Sequence, residues 1–203
     1  MAKGIMLTPE QQAERREEII DVALLLIAEN GFQMTSMRQI AISANMGKSS
    51  LYDFCKTKDE IVIYAVEKKI GETIQQIRQV IADEPSPERC LKKVMLYHFE
   101  IPKQYRTVMM WLNTESDYLE EEYRKRLKAV RYAYQDIIKC VIENGIAAGI
   151  FRKTDADLMA RLLINSVLAI VYTSRPSARP ETMMDETMNI FLHGIMSHEG
   201  GGI

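Results

Sequence analysis

Four cations, Arg38, Lys48, Lys56 and Lys58, fall between Met34 and Lys58 against the single acid Asp53, in a chain of 203 residues whose formal net charge is -2. A chain of that balance is not a general nucleic-acid binder, so contact with an acidic polymer has to come from this local patch. Hydroxyl groups are interspersed with the cations at Thr35, Ser36, Ser49, Ser50 and Tyr52. Thr35, Ser36 and Lys58 fall at expected helix starts, where free backbone N–H groups and the helix dipole favour a phosphate.

The elements that must position these residues are readable from the same stretch, TSMRQIAISANMGKSSLYDFCKTK. Ile40, Ala41, Ala44, Met46, Leu51 and Phe54 recur at the offsets where two short helices joined by a tight turn would touch. Ala41 falls at the expected crossing, where a larger side chain would push the helices apart. Ser36 with Gln39 forms a capping box for the first helix, and Gly47 can N-cap the second. Asn45 lies in the turn, where a residue tolerant of left-handed backbone is required.

Residues Gly31-Phe32, Thr35-Ser36, Ile40-Ala41, Lys48, Leu51-Tyr52 and Lys58-Asp59 together resemble, in order and spacing, the DNA-binding head of the TetR family of transcriptional repressors. Three positions depart from its pattern: Asn45 replaces the usual Gly, Gly47 a Ser that could contact phosphate, and Cys55 the second aromatic. The resemblance implies that the second helix of the motif lies in the major groove of double-stranded operator DNA. Ser49, Ser50 and Asp53, with Arg38 from the preceding helix, would then reach base edges. Lys48 and Tyr52 match positions that hold phosphate or sugar. Asp53 is repelled by phosphates, so it either accepts from a cytosine amine or points away from the DNA.

Along the whole chain the pattern is all-α, with about nine helices. Thr8-Pro9-Glu10-Gln11 opens a helix that runs to about Glu29 with Ile19, Ile20, Ala23, Leu24 and Ile27 on one stripe, and Asn30-Gly31 ends it. Phe32 is expected to plug the small three-helix core. Thr57 to Glu60 forms a second capping box, starting a helix to about Ala82 that is long enough, roughly 36 Å at 1.5 Å per residue, to leave the head and enter the body. Asp83 to Pro87 is the clearest break. Ser86 and Pro87 start a helix that Pro102 stops, a short one follows from Lys103 to Asn113, and a long one from Tyr118 to Ala148 has Gly145 and Gly149 at its fraying end. Thr154–Thr173 and Pro180–His198 are the last two helices. The first of these is apolar on nearly all sides beyond Met159, so it needs cover that a second copy can supply. The resemblance implies the same, a homodimer through the last two helices. It divides the chain into a three-helix helix-turn-helix DNA-binding head, 1–57, and a regulatory and dimerisation body, 58–203.

For the body the resemblance implies a small-molecule effector that releases the protein from a palindromic operator. Candidate effector-binding residues are Met95, His98, Phe99, Met109, Trp111, Tyr123 and Tyr134, with Asn165 as a polar anchor; adaptable methionines and aromatic walls suit an apolar or aromatic ligand. The plain alternative is that these residues are ordinary core, and that Asn165 sets the register of a dimer interface. An effector-independent DNA-binding or adaptor protein of the same fold is the rival function.

Other classes find little support. No G-x-S-x-G, phosphate-cradling glycine loop, H-E-x-x-H or paired-acid arrangement is present, which argues against an enzyme. Cys55, Cys90 and Cys140 are odd in number and far apart, arguing against disulfides or a zinc site. His98, His193 and His198 share no helical face, so no metal and no cofactor is expected. No long apolar segment follows the N-terminal basic residue, and the run Leu162 to Tyr172 is too short to span a bilayer, so a cytoplasmic protein without membrane contact is expected.

Overall fold

A computed structural model describes residues 7–173 and 175–196. The expected His198 end of the last helix lies outside these. Among the described residues are nine α-helices: α1 Pro9–Asn30, α2 Met37–Ser43, α3 Lys48–Phe54, α4 Lys58–Asp83, α5 Pro87–Glu100, α6 Lys103–Glu115, α7 Glu121–Ala147, α8 Ala156–Val171 and α9 Pro180–Ile195. A 3-10 turn, Ser116–Tyr118, precedes α7. Tyr118 therefore belongs to that turn and not to α7. The helix expected from Thr154 starts at Ala156, capped by Asp155, whose carboxylate accepts from the N–H groups of Asp157 and Leu158.

Two compact packing units divide the chain, Met1–Lys68 with Lys103–Leu127 and Lys69–Pro102 with Lys128–Ile203. In the first, Ile19, Ile20, Ala23, Leu24 and Ile27 of α1 are buried, as their spacing demands. The Thr8–Gln11 and Ser36–Gln39 capping boxes both form. At the start of α4, Thr57 Oγ1 accepts from the Glu60 N–H at 3.0 Å, but the Glu60 carboxylate takes the Lys56 N–H instead of closing the box. The first turns of α4 bury Ile61, Val62, Ile63, Ala65 and Val66, which is more than one stripe. Residues far along the chain explain the second face: the Glu120 N–H donates to Asp59 at 3.2 Å, and Arg126 Nε donates to Glu67 at 2.8 Å.

The second unit is built on one apolar cluster that includes Ile77, Leu91, Met95, Ile138, Ile142, Phe151, Leu163, Val167, Met184 and Met188. Gly145 is not a fraying residue. It lies within α7, and a Cβ placed on it would come within 2.2 Å of the buried Phe151 ring, so the glycine is what lets that ring pack against the helix. Gly149, at φ 71°, makes the left-handed turn that brings Phe151 back. Phe151 then pairs with Met196 in an antiparallel bridge, and the Arg152 N–H donates to the Ile195 carbonyl at 2.7 Å.

Candidate nucleic-acid interface

Helices α2 and α3 are seven residues each, too short to persist alone, and are held by what they bury. Ile40, Ala41, Ala44 and Leu51 close their shared core. Asn45 is the one non-glycine residue with positive φ among those described, at 53°, as the turn requires. The Met46 N–H donates across it to the Ala41 carbonyl at 2.9 Å. Gly47 sits at the N-cap of α3 without a side-chain cap bond.

With Leu51 fully buried and Phe54 half-buried, α3 turns its remaining residues outward. Lys48, Ser49, Ser50, Tyr52 and Asp53 are all exposed, and Arg38 is exposed on α2. The Lys48 ammonium lies 5.8 Å from the Tyr52 ring centroid, so the expected phosphate-binding pair is one surface feature. Ser36 is exposed, its hydroxyl donating to Gln39 Oε1 at 2.7 Å in the capping box. Two expectations need correction at the level of the side chain. Thr35 is only 1% exposed; its hydroxyl donates to the Gly31 carbonyl at 2.9 Å and its N–H to the Phe32 carbonyl at 3.4 Å, so it closes the α1–α2 loop and offers nothing to a phosphate. Lys58 is turned inward: its ammonium donates to the Phe32 carbonyl at 2.6 Å and lies 4.4 Å from the Phe32 ring centroid. Burial holds the Lys58 pKa below its ordinary value.

Several contacts that hold this motif gave no signal in the helical pattern. Arg15 Nη2 donates to the Ala44 carbonyl at 2.6 Å, and Arg16 Nη2 to Glu60 Oε1 at 2.8 Å. Phe32, expected as a core plug, is buried and stacked on Trp111 of α6, with ring centroids 4.0 Å apart.

The effector candidates fall in both units. Met109, Trp111 and Tyr123 belong to the first, each half-buried; Trp111 Nε1 donates to Glu115 at 3.3 Å, and Arg126 lies 5.6 Å from the Tyr123 ring centroid. Met95, His98, Phe99 and Tyr134 belong to the second. There His98 is buried, with Nδ1 3.2 Å from the Met95 carbonyl and Nε2 3.0 Å from the Tyr134 hydroxyl. That pattern assigns the proton to Nδ1 and makes Nε2 the acceptor from Tyr134. Burial pulls the His98 pKa down to about 4 and pushes that of Tyr134 up, so both are neutral. Asn165 is exposed on α8, in a row with Leu158, Leu162 and Ala169 at three- and four-residue steps. No group of histidine, cysteine or acidic side chains among the described residues could hold a metal ion, and no described helix is long and apolar enough to cross a membrane.

A short helix pair with one polar, cationic outer face, on an all-helical chain, defines a helix-turn-helix regulator. Residues 19–65 match the family profile "Bacterial regulatory proteins, tetR family", and residues 84–195 match "Tetracyclin repressor-like, C-terminal domain". The chain belongs to the TetR family of transcriptional regulators. Among its relatives, the HTH-type transcriptional repressor KstR2 of Mycolicibacterium smegmatis is 27% identical over 95% of this chain and 96% of its own length. The fatty acid metabolism regulator protein of Bacillus subtilis is 23% identical over 81% and 85%. Two solved structures share the fold: FadR from Bacillus subtilis in complex with stearoyl-CoA (TM-score 0.77, 21% identity, 88% of this chain and 98% of that one) and AibR in complex with isovaleryl coenzyme A and operator DNA (TM-score 0.72, 22% identity, 87% and 97%). The family and these relatives are regulators, not enzymes.

Proposed function

We propose that this protein is a repressor that binds a palindromic operator as a homodimer and is released by a small effector with an apolar chain or ring. The observation that carries the DNA contact is the outer face of α3, where five exposed residues, Lys48, Ser49, Ser50, Tyr52 and Asp53, flank the buried anchor Leu51. In this reading residues 1–57 are the DNA-binding head. Lys48 and Tyr52 hold the backbone; Ser36 contributes there through the start of α2. Ser49, Ser50 and Arg38 address base edges, and Asp53 accepts from a cytosine amine.

Residues 58–203 take the effector and the second copy. Leu158 and Leu162 on α8 and Ile190 on α9 are large apolar residues left exposed on one protomer, which supports pairing through these helices. The apolar interior of the second unit, with the neutral His98–Tyr134 pair as a polar point, supports a largely uncharged ligand group. Long- and branched-chain acyl-CoA ligands in the FadR and AibR structures make acyl thioesters the first probes. An effector of this kind releases DNA only if it prefers the conformation that binds the operator poorly.

Selection of DNA from a random pool by the purified protein tests this directly. Enrichment of a palindrome, followed by its release on addition of an acyl-CoA, is the expected result. A folded protein that enriches no sequence removes the operator-binding reading. Enrichment of a palindrome with no response to any apolar ligand favours an effector-independent regulator.

A further inference from the structure

Consecutive arginines on α1 are tied to the C-terminal ends of the two helices of the DNA-binding motif, Arg15 directly and Arg16 through Glu60 of α4. Ala44 is the C-cap of α2, and its carbonyl accepts from Arg15 at 2.6 Å, placing a cation where the helix dipole is negative. Arg15 is also paired with Glu18, one turn along α1, and its side chain is two-thirds covered. Cys55 is the C-cap of α3, and the N–H of the next residue, Lys56, donates to Glu60 Oε2 at 2.7 Å. The other oxygen of the same carboxylate accepts from Arg16 at 2.8 Å. Arg16 is stacked 4.3 Å from the Tyr64 ring centroid, and its Nε is buried without a hydrogen-bond partner. Keeping a partly desolvated guanidinium there costs stability, which a residue serving only the core would not need to impose.

We propose that Arg15 and Arg16 are positioning residues for operator reading, Arg15 by capping the end of α2 and Arg16 by holding, through Glu60, the exit of α3. Neither arginine touches DNA in this assignment; each acts through backbone that carries the contact residues. The assignment rests on the operator-binding reading above. It adds that the angle of α3 depends on two ties from α1, because a seven-residue helix cannot hold its own direction.

The test uses the full-length dimer and the sequence enriched by the wild type. Dissociation constants are measured for that duplex and for a random duplex across a range of salt, together with melting temperature, for Arg15→Gln, Arg16→Gln, Glu60→Gln and the double variant Arg16→Gln/Glu60→Gln. Positioning predicts about tenfold weaker operator binding for each single variant, with random-DNA affinity and salt slope changed less than about twofold, and a double variant no weaker than the weaker single. Equal weakening on both duplexes with the salt slope reduced by about one would make the arginines phosphate contacts and overturn the proposal. So would unchanged operator affinity, or losses that simply add in the double variant. If Arg16→Gln does not fold, Arg16→Lys replaces it; the lysine keeps the charge but not the stacked planar fork, and a loss of discrimination is still expected. A wild type that enriches no sequence removes the operator reading itself, whereas a wild type that enriches one while its variants bind it equally well overturns this inference alone.

Discussion

Tyr52 and Ser49 stand three residues apart on the outward face of α3, but their chemistry assigns them different work. A phenol beside a lysine can hold a phosphate on any duplex, whereas a serine hydroxyl at a base edge distinguishes sequences. Tyr52→Ala should weaken operator and random DNA together by about tenfold, and Ser49→Ala should shift sequence preference with little change in salt dependence; titrations on both duplexes check this. His98 is the second residue with a measurable signature. Its folded pKa of about 4 lies below the ordinary 6.5, so the unfolded chain takes up the proton first and stability falls as pH drops from about 6.5 towards 4. The full effect is on the order of 3 kcal/mol. Urea unfolding of the wild type between pH 7.5 and 4.5 should show this decline, and His98→Gln should flatten it. Thr35 and Lys58 teach the opposite lesson: a hydroxyl and an ammonium that look available in sequence are taken by the Gly31 and Phe32 carbonyls.

Individual elements depend on contacts that local periodicity does not reveal. The end of α7 is set by Phe151, which packs where Gly145 has no side chain. Gly145→Ala would improve helix propensity by about 1 kcal/mol in isolation, yet must displace a buried ring at a cost of roughly 1–3 kcal/mol or more. We expect a lower melting temperature for Gly145→Ala and a modestly higher one for alanine at half-buried Gly71 inside α4, where an added Cβ meets nothing within 4 Å. A stabilised Gly145→Ala would show that the ring has room to move. Helix α6 makes a similar point. Its Trp111 stacks on Phe32, so a helix remote in sequence completes the packing of the N-terminal unit.

At the scale of the whole molecule the outstanding feature is apolar surface on α8 and α9. Leu162 is 48% exposed and Ile190 76% exposed in the single chain, and a second copy is the proposed cover. Leu162→Glu and Ile190→Glu should each shift the protein towards monomer in sedimentation velocity, while helix content is kept. Operator affinity should fall with dimer content, because two heads on a palindrome contribute together. Dimers that persist in both variants would place the interface elsewhere.

Much was legible in the amino-acid sequence alone: the number and order of the helices, the capping boxes of α1 and α2, the αL turn at Asn45, the buried stripe of α1 and the outward residues of α3. Each depends on neighbours within about four positions, where periodicity, capping and glycine tolerance act. Membership in the TetR family followed from the same short-range order. What only the tertiary structure decided are the contacts between distant segments. These include the partition that joins residues 103–127 to the N-terminal unit, the inward turn of Lys58, the Phe151 ring over Gly145 and the reach of Arg15 to the end of α2 and of Arg16 to Glu60. A side chain's partner across 29 or 44 positions is set by how helices pack in space, and no local pattern in the chain encodes it.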